Sequence, residues 1–156
     1  KSDVQVQSHD LTYMCRTAML GSWLLAFPGD MINNVIYRKH IALYKSKQRP
    51  ILRGADTYHI LPFPDGVNWD GMQFYNPTLR RGSVFFFKPS AQPRDGDAKL
   101  VPLKGLVRSA TFNLTFEQRT EQNRVMTGDD LVDVGLPVTG MVGAEASEIV
   151  WIDRVS

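Results

Sequence analysis

The spacing of apolar residues changes at Pro50, and that change limits what the chain can fold into. Before it, two helix-patterned stretches flank one short apolar run, Trp23 to Phe27. After it, short alternating strands are punctuated by Pro-Asp-Gly, Trp-Asp-Gly and Lys-Gly turns. The first stretch is too small to be a domain, and the second is the right size for one. The chain is therefore expected to begin inside a larger architecture. The N-terminal Lys-Ser-Asp-Val is not a signal peptide and has no initiator Met, as expected of a processed or excised segment.

Asp3 to Gln7 reads as a short strand end. Ser8 can cap a helix from about Asp10 to Leu20, with Leu11, Met14, Cys15, Ala18 and Met19 on one face and Gly21 as its stop. Trp23 to Phe27 is a continuous apolar run, suited to a strand buried on both faces as in parallel sheets. Pro28-Gly-Asp30 is a loop. Helical spacing returns from Ile32 to about Lys47, and Pro50 is expected to end it. Helix, buried strand, loop and helix make one turn of a parallel α/β fold.

From Ile51 the period is two. Trp69, Gly71, Gln73 and Tyr75 alternate with Asp70, Met72 and Phe74. Further strands are expected at Ser83–Lys88, Leu100–Val101, Ala110–Phe116, Arg124–Met126, Leu136–Met141 and Ser147–Ile152. Ser90 to Asp97 is a polar loop. Short strands at regular spacing with turn signals predict a β-sandwich.

Composition removes several function classes. With 43% hydrophobic and 22% charged residues, the 156-residue chain can bury a core. A net charge of +2, with scattered Arg and Lys, does not point to nucleic acid. No apolar run reaches the ~18 residues of a membrane span. Cys15 is the one cysteine, so no intrachain disulfide can form; it reads as a small buried hydrophobe. His9, His40 and His59 match no ligand spacing, and Gly54-Ala-Asp and Gly128-Asp-Asp match no phosphate loop. No metal or cofactor is expected.

Several segments together resemble the C-terminal end of α-galactosidase-like glycoside hydrolases of families 36 and 27, the clan D enzymes. Arg16-Thr-Ala-Met-Leu-Gly-Ser-Trp-Leu-Leu-Ala-Phe27 is similar to the last helix and strand of their (β/α)8 barrel. His40-Ile-Ala-Leu-Tyr-Lys45 with Arg49-Pro-Ile-Leu-Arg-Gly-Ala-Asp56 is similar to the closing barrel helix and its exit. Tyr58-His-Ile-Leu-Pro-Phe-Pro-Asp-Gly66, Trp69-Asp-Gly-Met-Gln-Phe-Tyr-Asn-Pro77 and Gly82-Ser-Val-Phe-Phe-Phe-Lys88 resemble the first hairpin of their C-terminal β-domain. Ala146-Ser-Glu-Ile-Val-Trp-Ile152 resembles that domain's last strand. The order and spacing of the pieces carry the resemblance, which spans nearly the whole chain.

The resemblance implies a retaining hydrolase of α-linked galactosides or related sugars. Such enzymes use two carboxylates ~5 Å apart, one as nucleophile and one as acid/base. In the family both lie on earlier barrel strands, upstream of Lys1, so this chain alone is not expected to hydrolyse sugar. The resemblance also implies that Asp30, after the last barrel strand, lies near the sugar pocket, and that Asp3 matches an acidic residue at the preceding strand end. Asp30 could equally cap the helix that follows.

Other residues attract functional readings with plainer alternatives beside them. Ser8-His9-Asp10 are consecutive and cannot converge as a triad; N-cap chemistry explains Ser8 and Asp10. Tyr58, Trp69 and Tyr75 could stack on sugar faces, but aromatics in a β-domain more often pack in the core. Trp69-Asp70-Gly71 is expected to help dock the β-domain on the barrel's last helix. Asn113-Leu-Thr115 is a glycosylation sequon whose Asn should face solvent.

The expected architecture is mostly β. Residues 1–50 are expected to form the final β/α unit of a catalytic barrel, a helix–strand–helix remnant. Residues 51–156 are expected to form a C-terminal antiparallel β-sandwich of about seven or eight strands. The implied partners are a carbohydrate substrate met through the complete enzyme, the missing barrel segment or a partner chain, and a possible second copy. The alternative is a non-catalytic carbohydrate-binding or assembly module. An enzyme fragment should expose apolar surface on its helical third, whereas a binding module should present aromatics in a groove.

Overall fold

The computed structural model describes residues 8–23 and 33–155, with side chains from Leu11 onward. Helix α1 spans Ser8–Ala18 and α2 spans Val35–Leu43. Asn34 caps α2, its side chain accepting from the Ile36 N–H at 2.8 Å. Capping this helix therefore does not fall to Asp30, which lies outside the described residues. Of the expected strand Trp23–Phe27, only Trp23 is described.

Pro50 does not end the helix. After α2 the chain widens into a π-helical segment, Tyr44–Gln48, and continues as α3, Arg49–Leu52. Pro50 has no N–H for the carbonyl of Ser46, and in a regular α-helix its ring would press on that carbonyl. The π turn, in which the Arg49 N–H reaches back to Tyr44 O, makes room for the ring without breaking the rod.

The β region forms eight strands among the described residues: β1 (Asp56–His59), β2 (Asp70–Asn76), β3 (Arg81–Lys88), β4 (Lys99–Val101), β5 (Thr111–Phe116), β6 (Arg124–Thr127), β7 (Leu136–Val138) and β8 (Ala146–Arg154). Six make one antiparallel sheet in the order β1-β2-β3-β8-β5-β6, and β4 pairs with β7 in a ribbon. Helix α4, Gly128–Asp133, was not legible as a helix. Its signal is Thr127, whose Oγ accepts from the Asp130 N–H at 3.1 Å and donates to the Asp130 carboxylate at 2.7 Å.

Alternation divides the large sheet into two buried faces. On the inner face Tyr75, Val84, Phe86, Phe112, Leu114, Val150 and Ile152 meet Leu103, Leu131, Leu136, Val138 and Met141 from the ribbon, α4 and their loops. This is the sandwich core. On the outer face Phe74, Phe85, Phe87, Ile149 and Trp151 meet Met19 and Ile51 from the helices, with Tyr13, Leu43 and Leu52 alongside. Strand β3 is consequently buried from Gly82 to Lys88. Each of its three consecutive phenylalanines buries a ring worth about 2–3 kcal/mol. Strand β5 alternates as expected, with Asn113 exposed between buried Phe112 and Leu114.

A smaller cluster, Leu11, Cys15 and Tyr37, joins α1 to α2. Gly82 sets the closeness of β2 and β3. It pairs with Tyr75, and a Cβ there would lie 2.5 Å from the Phe74 carbonyl oxygen.

Candidate functional site at the helix–sheet junction

The polar chemistry of the described residues concentrates where the helices meet the outer sheet face. Arg16 projects from α1 and is 2% exposed. One of its Nη atoms donates to Ser147 Oγ at 3.0 Å, to the Ser147 carbonyl and to Gln118 Oε1 at 3.2 Å. The next residue after Ser147, Glu148, pairs with Phe86 on the inner-face parity and is fully buried. Its carboxylate accepts from the backbone N–H groups of Gln118, Arg119 and Ile149 and from Arg119 Nη at 2.8 Å. Four donors fill its acceptor sites, so Glu148 organises the β5 exit and is not available as a base. Burial lowers the pKa of Arg16, and the Glu148 and Glu117 charges oppose that shift.

Glu117 is a second hub. It accepts from Trp151 Nε1 at 2.9 Å and pairs with Lys39 and Lys47 of the helical rod at 4.0 and 3.9 Å. Lys47 Nζ also sits 4.9 Å from the Trp151 ring centre. Gln48 in the π segment accepts from Ser83 Oγ at 2.7 Å, and Asn76 donates to the Ile51 carbonyl at 3.1 Å. Helices and sheet are thus fastened by specific polar contacts as well as by apolar area.

A second group lies at the β1–β2 edge of the same face. His59 pairs with Met72, so His59 and Asp70 are diagonal neighbours across the hairpin. Burial pushes the Asp70 carboxyl up to about 6, with His59 opposing and Asp65 reinforcing. Tyr13 of α1, edge-on to Phe87 at 5.2 Å, is pushed up to about 12 by burial and by the Asp70 and Glu145 charges. Phe63 is 77% exposed and lies 4.8 Å from the His59 ring.

The residues singled out in the sequence fare differently. Asp3 and Asp30 lie outside the described residues. Ser8, His9 and Asp10 form the first turn of α1. His40 is buried, with Nδ1 donating to the Ile36 carbonyl at 2.8 Å; burial lowers its pKa, and the hydrogen bond to Ile36 opposes the shift. Among the described residues no three His, Cys, Asp or Glu side chains are placed to hold a metal, and no helix is long and apolar enough to cross a membrane.

The aromatics named as possible sugar platforms face inward. Tyr75 packs edge-on to Phe112, and the Tyr58 hydroxyl occupies the space above Gly105. Trp69 does not dock the helices. It lies in the sandwich core, donating from Nε1 to the Gly96 carbonyl at 2.9 Å and packing edge-on to Phe86. The docking aromatics are Phe85, Phe87 and Trp151, of the opposite parity in register. Neither the Arg16–Ser147 clamp nor the Phe63 corner was legible, because each joins segments far apart in sequence or depends on exposure.

Fold and junction define a two-layer antiparallel β-sandwich with a helical unit fastened to its outer face. No family model matches the chain, and no curated protein sequence does either. Solved structures do match. The galactosidase domain of the α-galactosidase–sucrose kinase AgaSK superposes with a TM-score of 0.62 at 16% identity, over 83% of this chain and 17% of that one. The GH36 α-galactosidase AgaB from Geobacillus stearothermophilus gives 0.63 at 19% identity, over 83% and 16%. AgaA from the same organism gives 0.63 at 18%, over 83% and 17%. The chain shares its fold with part of these α-galactosidases. The chain spans about one sixth of the length of the proteins it matches.

Proposed function

We propose that this chain is the C-terminal region of a retaining glycosidase acting on α-galactosides or related α-linked sugars. Residues 1–50 supply the final β/α unit of a catalytic barrel, and residues 51–156 are the sandwich that braces it. The observation that carries the reading is the two-sided sheet. Its outer face is covered by α1 and the rod from α2 to α3, where a free-standing sandwich would wet that face. The fold shared with GH36 enzymes supports it.

On this reading the two catalytic carboxylates belong to polypeptide before Lys1. The role of this chain is to close the barrel and to bring Asp30 and Asp3 to the sugar pocket. The test is hydrolysis of a nitrophenyl α-galactoside by the complete gene product, with the anomeric configuration of the product followed by NMR. Turnover with retention is expected, and Asp30→Ala should lower kcat/KM at least about tenfold, the effect of losing one charged substrate contact. Absence of turnover on α-linked sugars overturns the hydrolase reading; full activity in Asp30→Ala removes Asp30 from the site.

The second reading is a non-catalytic carbohydrate-binding module. One observation favours it: although Tyr58, Trp69 and Tyr75 point inward, Phe63 stands in solvent.

A further inference from the structure

Where the helical rod crosses the outer sheet face, the two leave a cleft of about 150 Å³ between them. The rod contributes Lys47, Pro50 and Ile51 to its lining. The β2–β3 turn and the sheet contribute Leu79, Arg81 and Thr115. Part of the rod wall is the π turn, a widened backbone of the kind that often marks functional sites.

Several donors at this cleft lack an acceptor. Gln48 is wholly buried in the π turn; its Oε1 accepts from Ser83, and its Nε2 has no partner. Gln48 stands directly behind the lining, since it follows Lys47 in the chain, and Ser83 adjoins Gly82 and pairs with Trp151, both of which line the cleft. The Thr115 hydroxyl and the two Nη atoms of Arg81 bond to no described residue. Arg81 Nε holds Asp153 at 2.9 Å. Lys47 Nζ reaches Glu117 only at 3.9 Å, and that carboxylate is shared with Lys39 and the Trp151 indole. A buried donor without an acceptor costs stability until something supplies one. The lining carries two cations, Lys47 and Arg81, against one carboxylate, Asp153, so the acceptor that suits it is negatively charged.

Size and charge together select the ligand. A cavity of ~150 Å³ takes one benzene-sized ring. Pro50, Ile51 and Leu79 offer that ring an apolar surface. A carboxylate on the ring supplies the acceptor that the surrounding donors lack. A neutral ring leaves those donors unmatched, and a bare inorganic anion leaves the apolar wall uncovered. We propose that the cleft binds a small one-ring carboxylate, its ring against Pro50, Ile51 and Leu79 and its carboxylate between Lys47 and Arg81. No covalent bond is made or broken there. The ligand touches both the rod and the sheet, so binding fastens one to the other and links ligand concentration to the stability of the joint. The site is argued from the cleft alone and does not rest on the proposed glycosidase activity.

NMR titration of the full chain with benzoate, benzamide and acetate tests the site. Benzoate should give saturable shifts confined to residues 46–51, 79–82 and 115 and to the Trp151 indole, with a millimolar Kd or tighter. It should also raise the unfolding temperature as its concentration rises. Benzamide keeps the ring and loses the charge, and acetate keeps the charge and loses the ring; each should bind at least about tenfold more weakly. Arg81→Gln, at a side chain 66% exposed, should fold normally and weaken benzoate about tenfold while leaving benzamide unchanged. Leu79→Ala, also at an exposed position, should weaken both aromatic probes. Absence of saturable benzoate shifts at these residues, equal affinity for benzamide or acetate, or benzoate binding unchanged in Arg81→Gln overturns the site. Failure of hydrolysis in the complete gene product leaves this result untouched, because the readout needs no turnover.

Discussion

Arg16 in α1 and Ser147 in β8 stand 131 residues apart in sequence and share two hydrogen bonds, to the hydroxyl and to the carbonyl of Ser147. Arg16 thereby fixes the position of the first helix on the sheet. Its guanidinium is almost wholly buried, and Nε has no partner. Arg16→Ala should destabilise the chain by about 2–4 kcal/mol, from lost charge-assisted bonds and from Ser147 and Gln118 left unpaired. Urea unfolding measures this as a lower midpoint at unchanged slope. Arg16→Lys should recover only part of the loss, since the shorter side chain does not carry its donors as far as Ser147 and Gln118.

Glu148 is more sensitive. Glu148→Gln keeps its shape but turns one acceptor into an NH2 that faces backbone N–H donors. The neutral amide also abandons Arg119. A loss of about 2–4 kcal/mol is expected, larger than for the exposed pair Arg81–Asp153 at 2.9 Å, where Asp153→Asn should cost under ~1 kcal/mol. Thermal unfolding of the two variants side by side checks the ratio.

Asp70 behaves in the opposite sense. Its folded-state pKa is raised by burial to about 6 from an ordinary 3.8. A raised pKa contributes stability that is fully present below the unfolded value and is lost as pH rises through the folded value. Between about pH 4 and 6, then, the Asp70 contribution declines. Asp70→Asn should be more stable than the parent at pH 7.5, by about 1–2 kcal/mol after allowing for partial solvent screening. The gap should close as pH falls toward 4. Equal stability of the two proteins at pH 7.5 would contradict this account.

Gly82→Ala tests the strand approach. The added Cβ meets the backbone oxygen of Phe74 at 2.5 Å, and backbone cannot swing aside as a side chain can. A cost of about 2–4 kcal/mol is expected from forcing β2 and β3 apart beneath Tyr75. Chemical denaturation reads it directly.

Cys15 is 1% exposed between α1 and α2, and burial pushes its thiol up to about 11. A disulfide reagent at pH 8 should therefore react only as fast as the helices open. Rapid labelling of the folded chain would show that α1 and α2 separate easily.

Much of the β region could be read in the sequence because period-two alternation reports strands whose successive residues face opposite sides of a sheet. Ala110 to Phe116 gives the clearest case, with Asn113 outward as its position demands. The helical region was legible in kind but not in its end. Pro50 is a strong local breaker, yet a π turn beside it keeps the rod intact to Leu52. Trp69 misled for a related reason. Its residue type suits an interface, but its parity in β2 sends it to the sandwich core, while Phe85, Phe87 and Trp151 face the helices.

By itself the sequence determined most of the described strands, the first two helices, the burial of Cys15 and the change from helical to strand spacing near Pro50. These follow from local spacing and from side-chain hydrophobicity, which act over a few residues. Only the tertiary structure decided which face of the sheet receives the helices, that Glu148 is consumed by four donors, and that Phe63 stands in water while Trp69, Tyr75 and Tyr58 turn inward. Burial and hydrogen-bond satisfaction depend on groups brought together across up to 131 residues of chain. No local pattern encodes that distance, so these contacts become visible only once the sheet has closed and the helices have docked.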